Sequence, residues 1–252
     1  GVGNIYPGIF SENIGASLAI CAPTEHLTYD PKRQMPVHYF AMPNTYMMHT
    51  FTTGGMCFRW FRDNFCQNEI GIQTATGMDS YYLMDLEAAQ VPPGSDNLIA
   101  LPHLQGAMAP DVNLNAKGVF YGATLKHTKG HFIRSIMESL GYIICRNLES
   151  IRDMGLNIQQ IRTMGGGSKS DLWNQIKADM LGCKSATLEN AQGAVLTDAV
   201  IAAYAVGDLE DPSQVFEKTR KIKKIYEPDP IRTKYYRSIY EQQRKLIKDD
   251  MA

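Results

Sequence analysis

No two cysteines in this chain have the spacing of a metal knuckle or a redox motif. The five, Cys21, Cys57, Cys66, Cys145 and Cys183, are odd in number and far apart. A disulfide framework and a zinc site are therefore excluded as organising features, no residue is assigned to a metal, and reduced thiols predict a cytoplasmic setting. Charge of one sign is lacking too. With 25 Lys and Arg against 26 Asp and Glu, the chain has no basic surplus for nucleic acid or an anionic membrane. It contains no run of eighteen apolar residues, no signal peptide, no lipidation motif and no Asn-x-Ser/Thr acceptor, so it reads as soluble with no membrane partner. The Walker pattern Gly-x-x-x-x-Gly-Lys-Ser/Thr occurs nowhere, and the dinucleotide pattern Gly-x-Gly-x-x-Gly is absent from its main glycine turn. The opening Gly1-Val2-Gly3-Asn4 has no initiator Met and no element start signal, and reads as part of something longer.

What the chain does carry is Met164-Gly165-Gly166-Gly167-Ser168-Lys169-Ser170-Asp171-Leu172-Trp173-Asn174-Gln175. A short strand pattern leads into it and an amphipathic run to Leu181 follows. Strand, glycine turn and helix thus come in order, with Ser168 and Asp171 spaced as a Ser-x-x-Asp capping box. Without Cβ atoms at Gly165 to Gly167 the backbone can take positive φ and approach a ligand closely. Free amides at the helix start would face an anion or a polar ring edge. The bland alternative, a plain tight connection, remains open on this turn alone.

Along the rest of the chain, residues 14–22, 36–42 and 46–51 read as strands of an antiparallel meander. Helical spacing follows over 54–66, with Phe58, Phe61 and Phe65 in one stripe, and again over 79–89. Residues 98–101 form a brief strand, 102–124 a long functional loop, and 127–152 the longest helix pattern. Strand and helix then alternate over 159–164, 171–181, 185–188 and 194–206, with Gly207 closing the last helix. This alternation predicts an α/β fold with a mixed sheet flanked by helices. Residues 1–210 are taken as one domain and 211–252 as a helical extension of it. That extension carries eleven Lys or Arg between Lys218 and Lys248, which interspersed acids make a solvated face. Trp60 and the phenylalanine stripe read as core, and Met47, Met48 and Met56 as gap-fillers. His127 and His131, four apart with Glu138 beyond, could meet a metal, but a structural or interdomain role weighs more.

Three glycine motifs, Gly15-Ala16-Ser17, Thr53-Gly54-Gly55 and Gly165-Gly166-Gly167, come in an order that resembles the FGGY carbohydrate kinases, and more specifically the C-terminal half of a xylulokinase-like member. The block from Gly118 through Gly122, His127, His131 and Arg134 to Glu138 is similar to that family's second signature. Leu101 to Gly106 resembles the loop before it, and Gly193 with Asp198-Ala199 and Ala202-Ala203 resembles the helix closing its nucleotide domain. The likeness runs from Gly1 to about Gly207. It implies an actin-like, ribonuclease-H-like fold, with ATP and Mg²⁺ as cofactors. It places Gly15, Ala16 and Ser17 against the β- and γ-phosphates, Gly55 beside the nucleotide and Arg59 near phosphate. Gly166, Gly167 and Ser170 would hold the adenosine, with Asp171 and Asn174 near it. Ala16 replaces the family's threonine, removing a hydroxyl donor worth about 0.5–1.5 kcal/mol. Ala107-Met108 stand where many xylulokinases carry Glu-Arg.

By the same resemblance the catalytic aspartate would precede Gly1, and the sugar would bind mainly on an N-terminal domain outside this chain. A homodimer is implied on that ground only. The function expected is the ATP-binding half of a kinase transferring the γ-phosphate to a ketose hydroxyl, a xylulose-like pentulose first, with these residues alone inactive. The alternatives are a nucleotide-binding regulatory or scaffold module of the same superfold without sugar kinase activity, and an assembly domain that binds no nucleotide.

Overall fold

The computed structural model describes residues 2–32, 35–42, 44–189 and 193–250. The chain first forms a hairpin, β1 (Ile9–Ile14) and β2 (Ser17–Thr24), turning at Gly15 and Ala16, where the Gly15 N–H donates to the Ser17 carbonyl at 2.9 Å. The predicted strand over 14–22 is therefore β2, which starts only after the glycine turn, and β1 before that turn is an additional strand. β3 (Val37–Tyr39) and β4 (Tyr46–Thr53) follow, but β4 lies between β2 and β3, so the strands are antiparallel without forming a sequential meander. After them come α1 (Gly55–Phe65), α2 (Gln67–Thr76) and α3 (Ser80–Ala89). Of these α2 was not anticipated. Its Glu69 and Ile70 are its inward contacts and most of its surface is exposed, so no apolar stripe marks it.

A two-stranded hairpin, β5 (Ile99–Pro102) with β6 (Gly118–Tyr121), leads into α4 (Lys129–Asp153). β7 (Gln160–Gly165), α5 (Asp171–Leu181), β8 (Lys184–Leu188), α6 (Gly193–Ala205), α7 (Pro212–Thr219), β9 (Ile222–Tyr226) and α8 (Pro230–Asp250) complete the chain. The sheet order is β3-β4-β2-β1-β7-β8-β9, with parallel pairing of β1 to β7 and of β7 to β8. The segment read as a helical extension thus contains a strand: β9 pairs antiparallel with β8. Its Lys223 and Lys224 make the strand look like a charged helix face in sequence, but every residue from Ile222 to Ile225 is exposed at the sheet edge, where lysines are compatible with pairing.

α4 is buried along Ile133, Met137, Leu140, Ile144, Leu148 and Ile151, a three-and-four spacing that makes one continuous stripe. It packs on α1, α3 and α5 and on the sheet face presenting Phe10, Ile14, Leu18, Ile20 and Ile161. Arg162, of opposite parity to Ile161, projects to the other face, where a smaller cluster of Ile5, Val200 and Phe216 joins α6 and α7. His127 and His131 serve the start of α4. Nδ1 of each accepts a backbone N–H, from Thr124 at 2.8 Å and Thr128 at 3.0 Å. Glu138 accepts from the Gly94 amide, the Ser95 hydroxyl, Arg134 and Tyr236, so it holds the left-handed run at residues 94–97.

Among the described residues one ion pair lies wholly inside the core. The Lys177 ammonium on α5 contacts the Glu12 carboxylate on β1 and donates to the Thr163 hydroxyl at 2.7 Å, and both charged side chains are 0% exposed. Burial pushes the Lys177 ammonium down in pKa, and Glu12 opposes that. Removing one partner leaves the other charge stranded, at a cost of about 3–5 kcal/mol. Lys177→Met should lose stability on that scale in urea denaturation, and Lys177→Met with Glu12→Leu should recover most of it. Glycines give a second contrast. A Cβ at Gly55 would stand 2.3 Å from the Gly15 carbonyl oxygen, whereas one at Gly71 meets nothing within 4 Å. Gly55→Ala is expected to cost about 1–3 kcal/mol or more by overpacking, and Gly71→Ala to gain about 0.5–1 kcal/mol.

Candidate functional site

The parallel register sets the site. Ile14 at the end of β1 stands opposite Gly165 at the end of β7, so the hairpin turn and the glycine turn lie side by side at the carboxyl ends of two parallel strands. That is where open α/β sheets bind ligands. Pairing of Ser17 with Thr53 brings Gly54 and Gly55 to the same place. The Ala16 carbonyl accepts the amides of Gly54 at 3.3 Å and Met56 at 3.0 Å, tying the start of α1 to the hairpin. Gly165 has φ +78° and ψ −168°, a conformation that essentially only glycine adopts.

These turns floor a cavity of about 790 Å³, within the range of small-molecule sites. Gly15, Ala16, Gly55, Arg59, Gly166, Gly167 and Ser170 all line it. α1 turns Met56, Arg59, Trp60 and Asp63 towards it, and α3 contributes Asp79, Tyr81, Tyr82 and Asp85. Three expected contacts are not in the lining. Ser17 is exposed beside the hairpin turn. Asp171 is held outside by the Tyr226 hydroxyl at 2.5 Å and Lys224 at 2.8 Å, hydrogen bonds that lower its carboxyl pKa. Asn174 is buried behind the turn, donating to the Ser168 carbonyl at 2.8 Å.

The helix cap also differs from the expected box. Ser170, not Ser168, caps α5 by accepting the Trp173 N–H at 3.0 Å, because Gly166–Lys169 form a separate 3-10 turn and Ser168 donates back to the Gly165 carbonyl. The aromatic stripe of α1 splits likewise. Phe58 and Phe61 are buried, but Trp60 is 38% and Phe65 55% exposed, and Met56, at 41%, is cavity wall and not gap-filler. Trp60 stands three residues after Cys57 and one before Phe61, and 100° per residue puts it on the flank of the buried face, towards the cavity.

Asp85 was missed. Burial pushes its carboxyl up to about 6, Asp79 and Asp171 push the same way, and the Ser170 hydroxyl opposes them. The repeat Asp79, Tyr82, Asp85 marks one helix face in sequence, but nothing local says that this face meets the glycine turn. Among the described residues no three His, Cys, Asp or Glu side chains gather as a metal site, and no helix is long and apolar enough to cross a membrane.

The profile of the FGGY family of carbohydrate kinases, C-terminal domain, matches residues 22–206. The chain belongs to this family. A gluconokinase of Bacillus subtilis is 29% identical over 211 residues, 83% of this chain and 41% of that protein. A xylulose kinase of Bacillus subtilis is 27% identical over 247 residues, 95% of this chain and 47% of that one. A ligand-bound xylulose kinase structure from Lactobacillus acidophilus superposes with a TM-score of 0.85 at 25% identity, covering 98% of this chain and 48% of the other. The FGGY chain therefore has the actin-like, ribonuclease-H-like fold of its structural neighbours, and spans about half the length of its relatives.

The raised Asp85 pKa has a consequence for stability. Between its ordinary 3.8 and about 6 the folded chain keeps a proton that the unfolded chain has released, so stability contributed by this group falls as pH rises through that window. Asp85→Asn cannot ionise. It should melt above the wild type at pH 7.5, with the difference closing as pH falls towards 4 in a thermal-melt series.

Proposed function

We propose that this FGGY chain is the ATP-binding half of a sugar kinase that transfers the γ-phosphate of ATP to a hydroxyl of a ketose, a xylulose-like pentulose first. The observation that carries the reading is the glycine-floored cavity at the carboxyl ends of β1 and β7, in a chain that belongs to a carbohydrate kinase family. The residues fit a nucleotide. Gly55 and Gly167 lie where a Cβ would press on Gly15 and Ile14, so the backbone itself forms the floor, and Tyr81, Trp60 and Trp173 supply flat apolar walls. Arg59 and Lys169 add positive charge at the lining.

In this reading Gly15 and Ala16 face the β- and γ-phosphates, with Ser17 at the margin and Gly55 alongside. Gly166, Gly167 and Ser170 hold the adenosine, and Asn174 acts from behind by fixing the turn that does so. Asp171 is the exception: engaged by Lys224 and Tyr226, it anchors the start of α5 to β9 and does not contact nucleotide. Mg²⁺ accompanies ATP in phosphoryl transfer and neutralises phosphate charge when bound; it would be held largely through the phosphates themselves. In the transfer the sugar hydroxyl attacks the γ-phosphorus, the bond to the β–γ bridging oxygen breaks, ADP leaves, and the hydroxyl proton goes to a carboxylate base. We assign that base and most of the sugar pocket to the half of the enzyme that these residues do not include, so this chain alone should not phosphorylate sugar.

The two Bacillus relatives are named for gluconate and xylulose, and the alignment with the xylulose kinase runs over more of the chain. Xylulose kinases stand among both the relatives and the structural neighbours, which supports the pentulose. Calorimetric titration with ADP and ATP, with and without Mg²⁺, tests the nucleotide site. Gly166 is the position to change, because a Cβ there meets nothing nearer than the Ile14 carbonyl at 3.8 Å and the residue has no positive φ. The positive φ of this turn is at Gly165. Gly166→Val should keep the far-ultraviolet spectrum and lose micromolar-to-millimolar nucleotide binding. Unchanged affinity would remove Gly166 from the site.

A further inference from the structure

The wall that α3 presents to the cavity is acidic, and the nucleotide contacts described above leave it unexplained. Three carboxylates line the cavity, Asp63 from α1 and Asp79 and Asp85 from α3 and its cap, and two are committed elsewhere. Asp63 is taken by Arg62 at 2.5 Å and Arg59 at 3.4 Å, and Asp79 accepts the Tyr81 amide at 2.8 Å as the cap of α3. Asp85 has no cationic partner among the described residues. The Ser170 hydroxyl, which accepts the Trp173 N–H, lines the same cavity and favours the charged form of the Asp85 carboxyl. Asp85 is thus the carboxylate of the three that keeps its charge available to the cavity.

A carboxylate is acceptor-only. Set beside Phe58, Tyr81 and Trp173, it is partly desolvated, which is why burial raises its pKa, and it calls for an N–H donor from whatever occupies the space. The acid wall also orients a nucleotide. Phosphates are repelled by the carboxylates of α3 and favour the bare Gly15–Ala16 hairpin of the same lining, which leaves the base to α3.

We propose that Asp85 is the residue that reads the base: its carboxylate accepts from the 6-amino group of adenine and rejects a base with a carbonyl at that position. This rests on the nucleotide reading of the same cavity. A carbonyl there would set two acceptors against each other in a partly dry pocket, and sites built around a polar partner discriminate strongly against ligands that cannot supply it. Asparagine at position 85 could offer either a carbonyl or an N–H₂ and would accept both kinds of base.

The test is calorimetric titration of the 252-residue chain with ADP, IDP and GDP, repeated on Asp85→Asn. The wild type should favour ADP over IDP and GDP by roughly ten- to a hundredfold, the range of a charge-assisted hydrogen bond. Asp85→Asn should bind ADP more weakly and IDP more tightly, bringing their ratio to within about threefold. The ratio is insensitive to partial loss of fold, which lowers both affinities together. Wild-type chain that binds IDP or GDP as tightly as ADP overturns the assignment of Asp85 and leaves the nucleotide site standing, as does an unchanged ratio in Asp85→Asn. Wild-type chain that binds no purine nucleotide removes the nucleotide reading and this inference with it.

Discussion

Backbone crowding around Ile14 is the constraint on which the rest depends. A Cβ at Gly165 would lie 2.3 Å from the Asn13 side chain and 2.6 Å from the Ile14 carbonyl. One at Gly54 would lie 2.3 Å from the Ser17 backbone, and one at Gly167 2.9 Å from the Ile14 side chain. Three chain segments from distant parts of the sequence thus meet at the end of β1 with no room for side chains. Close packing is as dense as in an organic crystal, so such positions admit hydrogen and little else. The same bareness makes the floor of the cavity out of peptide groups, which suits a ligand with many oxygens.

What holds that floor in place is polar and buried. Lys177 donates to the Thr163 hydroxyl, Thr163 donates to Asn174 at 3.4 Å, and Asn174 donates to the Ser168 carbonyl. Glu12 neutralises the ammonium at the far end of the chain. A buried ion pair contributes little net stability compared with an apolar core, but here it joins β1, β7 and α5, the three elements whose relative positions define the glycine turn. Residues with no contact to the cavity can therefore set its shape. Asn174 is such a case: its importance was legible, but as a ligand contact, whereas its hydrogen bonds make it a strut.

Most of the architecture could be read in advance because the apolar periodicity is strong where helices are long. The 25-residue α4 and the strand–turn–helix from β7 to α5 both emerge from local pattern. β1 and β9 did not. β1 buries Glu12 and Ser11, because Lys177 and Asn4 satisfy them, and those partners lie outside the strand, 165 and 7 positions away. β9 is lysine-rich on a sheet edge and has no alternation to detect. At the site, the glycines were legible because only a missing side chain permits their geometry, while Asp85 was hidden by the ordinary look of an exposed helix acid.

By itself the sequence determined the α/β class, the glycine positions that make three turns possible, the long central helix, and membership of a carbohydrate kinase family through motifs at fixed spacing. These are local properties: periodicity, φ freedom and short-range capping are decided within a few residues. Tertiary structure alone decided which turns meet, that Ser170 and not Ser168 caps α5, that Trp60 faces the cavity, and that Asp171 turns away while Asp85 turns in. The reason is the register of two parallel strands. Placing Ile14 opposite Gly165 brings residues some 150 positions apart into contact, and no local preference encodes which distant surface a helix face will meet.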